Sequence, residues 1–420
     1  MADLKRSIGL WQGTGMMLSI VLGAGLLALP GLAAASAGPA ALTIWLVCAF
    51  VSIPLLYVFS VVGRDHPDAG GIAAVIKKAF GITGYAPATL LFLGAVAVGL
   101  PSIALVGGQY AQASLGISAH FAAVFLIVGA MALNLLSSRL VNLMSSGLSI
   151  AVIAVLLVLA LLGWLAVTPE WAHATTFATP SLPVFSATFM MVFFAFTGWE
   201  VASNLAGEFR NPKRDFPLAM ALSFIVAVAL YLMLAVIVVA AGEEAATEAP
   251  FTVIMMQGYG MLASHFVSGV AIVLIIANLS AAIWAVSRMV YSAADERLLP
   301  NAFAKLNKGI PLRAVILTAA VLVSVTLFSY TGVLDLADLL SIAGMNFLLL
   351  YAAAAAALCK LSKRGRHQLF SISSILIVAV LVVGRGVDHL LYPAILAIVA
   401  IASTFWPRPN ATKRVVTEQA

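Results

Sequence analysis

The stretch Val184–Gly207, VFSATFMMVFFAFTGWEVASNLAG, decides the fold. It is long and apolar enough to cross a bilayer, which takes about 20 helical residues. Yet Thr197-Gly198 interrupts it, and Glu200 places a carboxyl inside it. Glycine can leave helical geometry and expose backbone groups. A buried acid either finds a partner or takes up a proton, and no lysine or arginine sits deep in a neighbouring span to pair with Glu200. The segment therefore reads as a broken spanning helix with free carbonyls at Thr197-Gly198 and a titratable group beside them. Phe194, Phe196 and Trp199 read as a wall for an apolar side chain, against the plainer reading of ordinary core aromatics.

A second interruption lies in residues 8–35, where Gly23-Ala24-Gly25 is followed by Pro30. Unwinding there would turn the positive end of the following half-helix toward a carboxylate. A packing face of small residues is the plainer alternative, and Gly13 and Gly15 fit it. This region also imitates a signal peptide, with Lys5 and Arg6, an apolar run and Ala33-Ala34-Ala35. The run is too long and is broken by glycine, so it is kept as a span.

Apolar blocks place further spans at 38–63, 84–112, 119–136, 141–167, 215–241, 264–292, 312–330, 335–358, 368–385 and 389–406, twelve in all. The two interruptions then fall in spans one and six. An odd offset means that those helices run in opposite directions, which points to an inverted repeat of five plus five helices with the substrate at the midplane. The fold class is all-α membrane protein.

Composition agrees: 63% of residues are hydrophobic, 9% are charged, and mean hydropathy is +1.10. With the N-terminus inside, 21 of the 22 lysines and arginines fall on inner segments and Arg385 alone is outside. The positive-inside rule thus predicts both termini in the cytoplasm. The net charge of +6 reflects that topology and contact with anionic membrane lipid. It is no nucleic-acid footprint, since no basic face interleaves with aromatics. Cys48 lies inside a span and Cys359 at the end of one, and both read as small buried hydrophobes.

The connections are short, so binding must occur within the membrane or at its edges. The inner loop Gly63 to Gly71 mixes charges with turn residues, and His66 has no metal-ligand spacing with the other histidines. The inner loop Glu208 to Pro217 alternates charges and carries two prolines; Glu208 and Arg210 read as a salt-bridge gate or as positive-inside anchoring. Asn278, Ser280 and Asn346 read first as helix–helix hydrogen-bonding groups, with a pathway lining as the alternative. There is no phosphate-binding loop, HExxH, cysteine-rich metal run or nucleophile elbow. No enzyme activity, cofactor or metal is expected, and ATP-driven transport would need a separate subunit.

Five motifs in order carry a resemblance. They are Gly23-Ala24-Gly25 with Leu29-Pro30, then Pro67-Asp68-Ala69-Gly70-Gly71 leading to Phe80-Gly81, then Phe196 to Glu200. Glu208-Phe209-Arg210-Asn211-Pro212 with Phe216-Pro217 follows, and Ser287 to Tyr291 with Asp295 to Pro300 completes the set. The chain resembles the amino acid–polyamine–organocation transporters. Stretches 63–71 and 198–217 are most similar to bacterial exporters of L-methionine and branched-chain amino acids.

The resemblance implies the leucine-transporter fold, with a first repeat over 1–167, a second over 184–358, and peripheral helices and a tail over 359–420. It implies alternating access. By position, N–H groups around Gly23, Ala24 and Gly25 would bind the substrate carboxylate, and the carbonyls of Val21, Phe194 and Thr197 its ammonium. Glu200 aligns with an acidic residue found after the break in several relatives. One departure stands out. Some proton-coupled relatives carry a lysine in span five, and Val141 to Val167 has no charged residue. Glu200 protonation, sodium coupling and plain exchange stay open.

The expectation is a secondary transporter of neutral hydrophobic L-amino acids in a bacterial inner membrane, with export preferred. An importer or exchanger of other amino acids or polyamines is one alternative; a non-transporting sensor or channel is the other. Monomer and homodimer both stay open, the last two spans offering a face for pairing.

Overall fold

The computed structural model describes residues 8–65, 71–136, 138–167, 178–307 and 310–405, without the side chains of 24, 71, 136–151, 204 and 387–388. Lys5, Arg6, the loop 66–70, Lys308 and the tail cations Arg408, Lys413 and Arg414 lie outside these residues. Within them the chain is helical, with two isolated bridges, Ile8 with Phe209 and Asn307 with Ile310.

Helix α1 is Leu10–Val21, α2 Leu29–Ala37, α3 Ala41–Asp65, α4 Gly71–Phe80, α5 Ile82–Leu115, α6 Ala119–Leu136 and α7 Ser138–Ala166. After these come α8 Leu182–Phe193, α9 Trp199–Ala202, α10 Asp215–Ala240, α11 Pro250–Tyr259 and α12 Met261–Asp295. The chain continues with α13 Leu312–Ser329, α14 Leu336–Leu361, α15 Gly365–Arg385 and α16 Leu391–Phe405. Eight stretches are long and apolar enough to cross a membrane: Leu29–Asp65, α5, Leu182–Ala202, α10, α12, α13, α14 and α15. Ala119–Leu135, Val152–Ala166 and Leu391–Phe405 are shorter apolar helices.

Both interruptions are real breaks in the helix. The chain leaves α1 at Leu22, makes a tight turn over Ala24–Leu27, and starts α2 with Pro30 in its first turn. Proline there gives up an N–H that the helix start cannot use and presets φ. The second break follows α8 through a turn at Phe194–Phe196, then passes Thr197 in extended backbone and Gly198 at φ +106°. That left-handed value favours glycine. A Cβ on Gly198 would lie 3.4 Å from the Ile20 carbonyl oxygen, so the two breaks abut.

Around them, α5 packs along α12 and α14, α1 along α10, and α8 against α2, α3 and α14. The α8–α14 contact is tight at Gly344, where a Cβ would come within 2.2 Å of the Met190 carbonyl oxygen. Backbone cannot yield as a flexible side chain can. Gly344→Ala should therefore lower stability by about 1–3 kcal/mol or more. A melting curve of the purified variant matching wild type would show that the helices part at no cost.

Two helices arise in stretches read as connections. In α4, Ile72, Val75, Ile76 and Ala79 are buried at helical spacing while Lys77 and Lys78 are exposed, so a short amphipathic helix lies on the bundle. Pro250 opens α11 and Gly260, at φ +82°, closes it.

Candidate functional site

A cavity of about 180 Å³ lies between the two breaks. Val21, Gly23 and Gly25 line it from the first break; Phe194, Thr197, Gly198 and Glu200 line it from the second. Its apolar wall includes Leu29, Leu100, Ile103 and Phe347, and Asn278 adds an uncharged polar group. Glu200 is the one ionisable side chain among the described lining residues.

The first break offers backbone donors. Leu26 N–H bonds the Gly23 carbonyl at 3.2 Å, so this turn supplies no acceptor for the N–H groups of Ala24 and Gly25. Gly23 differs from expectation: its own N–H donates to the Val21 carbonyl at 2.8 Å. A Cβ on Gly23 would meet nothing within 4 Å, so that position opens on free space.

Two of the three carbonyls expected to serve an ammonium group already hold partners. Phe194 O accepts from Thr197 N–H at 3.2 Å and from the Thr197 hydroxyl at 2.7 Å. Val21 O lies 3.2 Å from the Tyr231 hydroxyl, which also lies 2.8 Å from Ala195 O. Tyr231, fully buried on α10, therefore stitches the breaks together. Tyr231→Phe should keep the ring packing and cost about 1–2 kcal/mol through the lost hydroxyl. An unchanged denaturation midpoint would show that the stitch carries no stability.

Glu200 is 6% exposed and turns back over the second break. Its Oε2 accepts from Gly198 N–H at 3.0 Å and is 2.5 Å from the Tyr351 hydroxyl of α14. The carboxyl thus closes the start of α9 and ties it to a distant helix. Tyr231 and Tyr351 were not singled out by the sequence reading, because a tyrosine inside a span has the pattern of any core aromatic.

Phe196 and Trp199 do not line the cavity. Phe196 points behind it, edge-on to Tyr231 at 5.2 Å between ring centres and 6.0 Å from Trp45. Trp199 packs toward Phe224 at 5.9 Å. The tight turn at Phe194–Phe196 rotates these side chains away, and Phe194 and Phe347 form the aromatic wall instead. Gly99 makes room for Phe194, since a Cβ there would lie 2.9 Å from its ring.

Glu208 and Arg210 sit at the end of the bundle that holds Ile8, outside the cavity. Their backbone groups tie down the chain start there: Ile8 N–H bonds Glu208 O, and Arg210 N–H bonds Ile8 O, both at 3.0 Å. An ion pair at this end joins Lys77 of α4 to Glu296, just past α12, at 2.6 Å. Ser280 and Asn346 bond carbonyls one turn back in their own helices. No group of three or more metal-type ligands occurs among the described residues.

Known proteins share this sequence over nearly its whole length. The uncharacterized amino acid permease YecA of Bacillus subtilis is 33% identical over 94% of both chains. The L-methionine/branched-chain amino acid exporter YjeH of Escherichia coli is 29% identical over 89% of this chain and 90% of the relative. The cadaverine/lysine antiporter of Escherichia coli is 25% identical over 78% and 77%. Residues 8–417 match the amino acid permease family as a whole. A multi-pass helical protein with broken helices around a central cavity, matched so completely, belongs to the amino acid permease family of the amino acid–polyamine–organocation superfamily.

Proposed function

We propose that this chain exports neutral hydrophobic L-amino acids, namely methionine, leucine, isoleucine and valine, by alternating access. The observation that carries the reading is the cavity between the breaks, with an apolar wall and a single ionisable side chain. That side chain, Glu200, already spends one oxygen on Gly198 and Tyr351. No second acid among the described lining residues is available to recognise a second substrate cation. The N–H groups of Ala24 and Gly25 receive the substrate carboxylate, and carbonyls of Val21, Phe194 and Thr197 take its ammonium after local rearrangement. Phe194, Phe347 and Leu100 hold its side chain.

The reading extends to twelve spans in two inverted repeats, 1–167 and 184–358, with 359–420 peripheral, and to both termini in the cytoplasm. Support comes from the two abutting breaks and from the gathering of lysine and arginine at alternate connections. Glu200 carries coupling, through proton exchange. The similar methionine and branched-chain exporter supports both substrate class and direction.

The test is counterflow in proteoliposomes loaded with unlabelled methionine or leucine, with labelled substrate outside. Trans-stimulated uptake is expected. Counterflow with lysine or cadaverine alone would move the substrate to the cationic class named for the antiporter relative. Efflux from preloaded cells, compared with uptake, decides direction.

A further inference from the structure

A cationic patch lies at the end of the bundle that holds Ile8, where α3 ends and α14 turns into α15. His367 is buried there, with Nδ1 2.8 Å from the Ser362 hydroxyl and Nε2 3.5 Å from an Arg64 nitrogen. Arg64 is paired with Asp65 at 2.8 Å. Lys363, Arg364 and Arg366 are exposed around this centre, and among the described residues no acid pairs with them. The guanidinium of Arg366 lies 5.4 Å from the Tyr57 ring, which stacks on Phe370 at 4.1 Å.

Three cations at one helix start, with Asp65 nearby but paired to Arg64, are unfavourable by themselves. The first turn of α15 carries no acid and no side-chain cap, and a helix start favours negative charge. Below the patch the same helix exposes an apolar stripe at helical spacing: Leu369, Ile372, Leu376, Val380 and Val383. Leu369 stands one turn after Arg366. Cations above an apolar strip match a phospholipid with a negative headgroup. A second copy related by a two-fold axis across this stripe would instead bring like cations to the same level.

We propose that this corner binds one anionic phospholipid, its phosphate held by Lys363, Arg364 and Arg366 beside His367 and its acyl chain laid along the α15 stripe. Charge near a membrane surface is worth about fivefold in affinity per cation, so removing two should weaken binding about 30-fold.

The probe is phosphatidylglycerol, titrated into the full-length protein in phosphatidylcholine nanodiscs and read by native mass spectrometry of retained lipid and by melting temperature. Wild type should retain phosphatidylglycerol and melt higher with it. The pair Arg364→Gln, Arg366→Gln should lose both effects and melt like wild type in pure phosphatidylcholine. The pair Lys305→Gln, Arg313→Gln, cations elsewhere on the chain, should keep them. Equal loss in both pairs would reduce the effect to general charge and overturn the site. Phosphate ion reproducing the shift, or dimers that form through this face without phosphatidylglycerol, would overturn the lipid as occupant. If the double variant does not fold, Arg366→Gln alone should lose about fivefold; full retention by that variant rejects the site.

Discussion

Gly25→Trp should abolish counterflow, by about 100-fold or more, which corresponds to ~3 kcal/mol of lost binding. The reason is placement. Gly25 lines the cavity, and a Cβ there would sit 3.6 Å from the Phe194 ring and 3.7 Å from Leu29, in ordinary contact. A methyl group fits, and φ at this glycine is not left-handed, so Gly25→Ala should fold normally and keep most of the transport. An indole extends from the same point into a space of about 180 Å³ and occupies what the substrate needs. Folded Gly25→Trp with wild-type counterflow would sink the site. Loss in both variants would show instead that the break tolerates no side chain at all.

The second large effect is expected at Glu200, where two substitutions separate its roles. Glu200→Gln keeps an oxygen for Gly198 N–H and the Tyr351 hydroxyl. It should fold like wild type but transport with a flat pH profile, since an amide exchanges no proton. Glu200→Leu removes the acceptor from a buried tyrosine hydroxyl, at about 1–3 kcal/mol. That variant should melt lower and fail in transport. Identical pH profiles for wild type and Glu200→Gln would reject coupling through this carboxyl and leave it the task of bracing the break.

How much of this was legible follows from the kind of signal each feature leaves. The breaks announce themselves because glycine at Gly23, Gly25 and Gly198 is written in the chain where unwinding occurs. Glu200 stands out because an acid in an apolar run has few innocent explanations. Tyr231 and Tyr351 left no such trace, as their roles depend on helices brought together by folding. The aromatic wall was partly misassigned for a local reason: a tight turn changes the angular spacing of Phe194, Phe196 and Trp199, and linear order does not reveal it. The amphipathic helix α4 was visible in principle through Ile72, Val75, Ile76 and Ala79, but it is too short to register as a span. Lys77 with Glu296 joins positions 219 residues apart, which no local pattern foretells.

The Tyr231 hydroxyl has a single proton and faces two carbonyls, Val21 O and Ala195 O. It cannot serve both fully at one time. An ammonium group arriving at the Val21 carbonyl would release that proton wholly to Ala195, tightening the opposite break. If the proposed ammonium site is right, occupancy on one side would be reported to the other through one rotating O–H bond. Such a relay would begin without any helix movement, and a vibrational probe of the phenol would follow it.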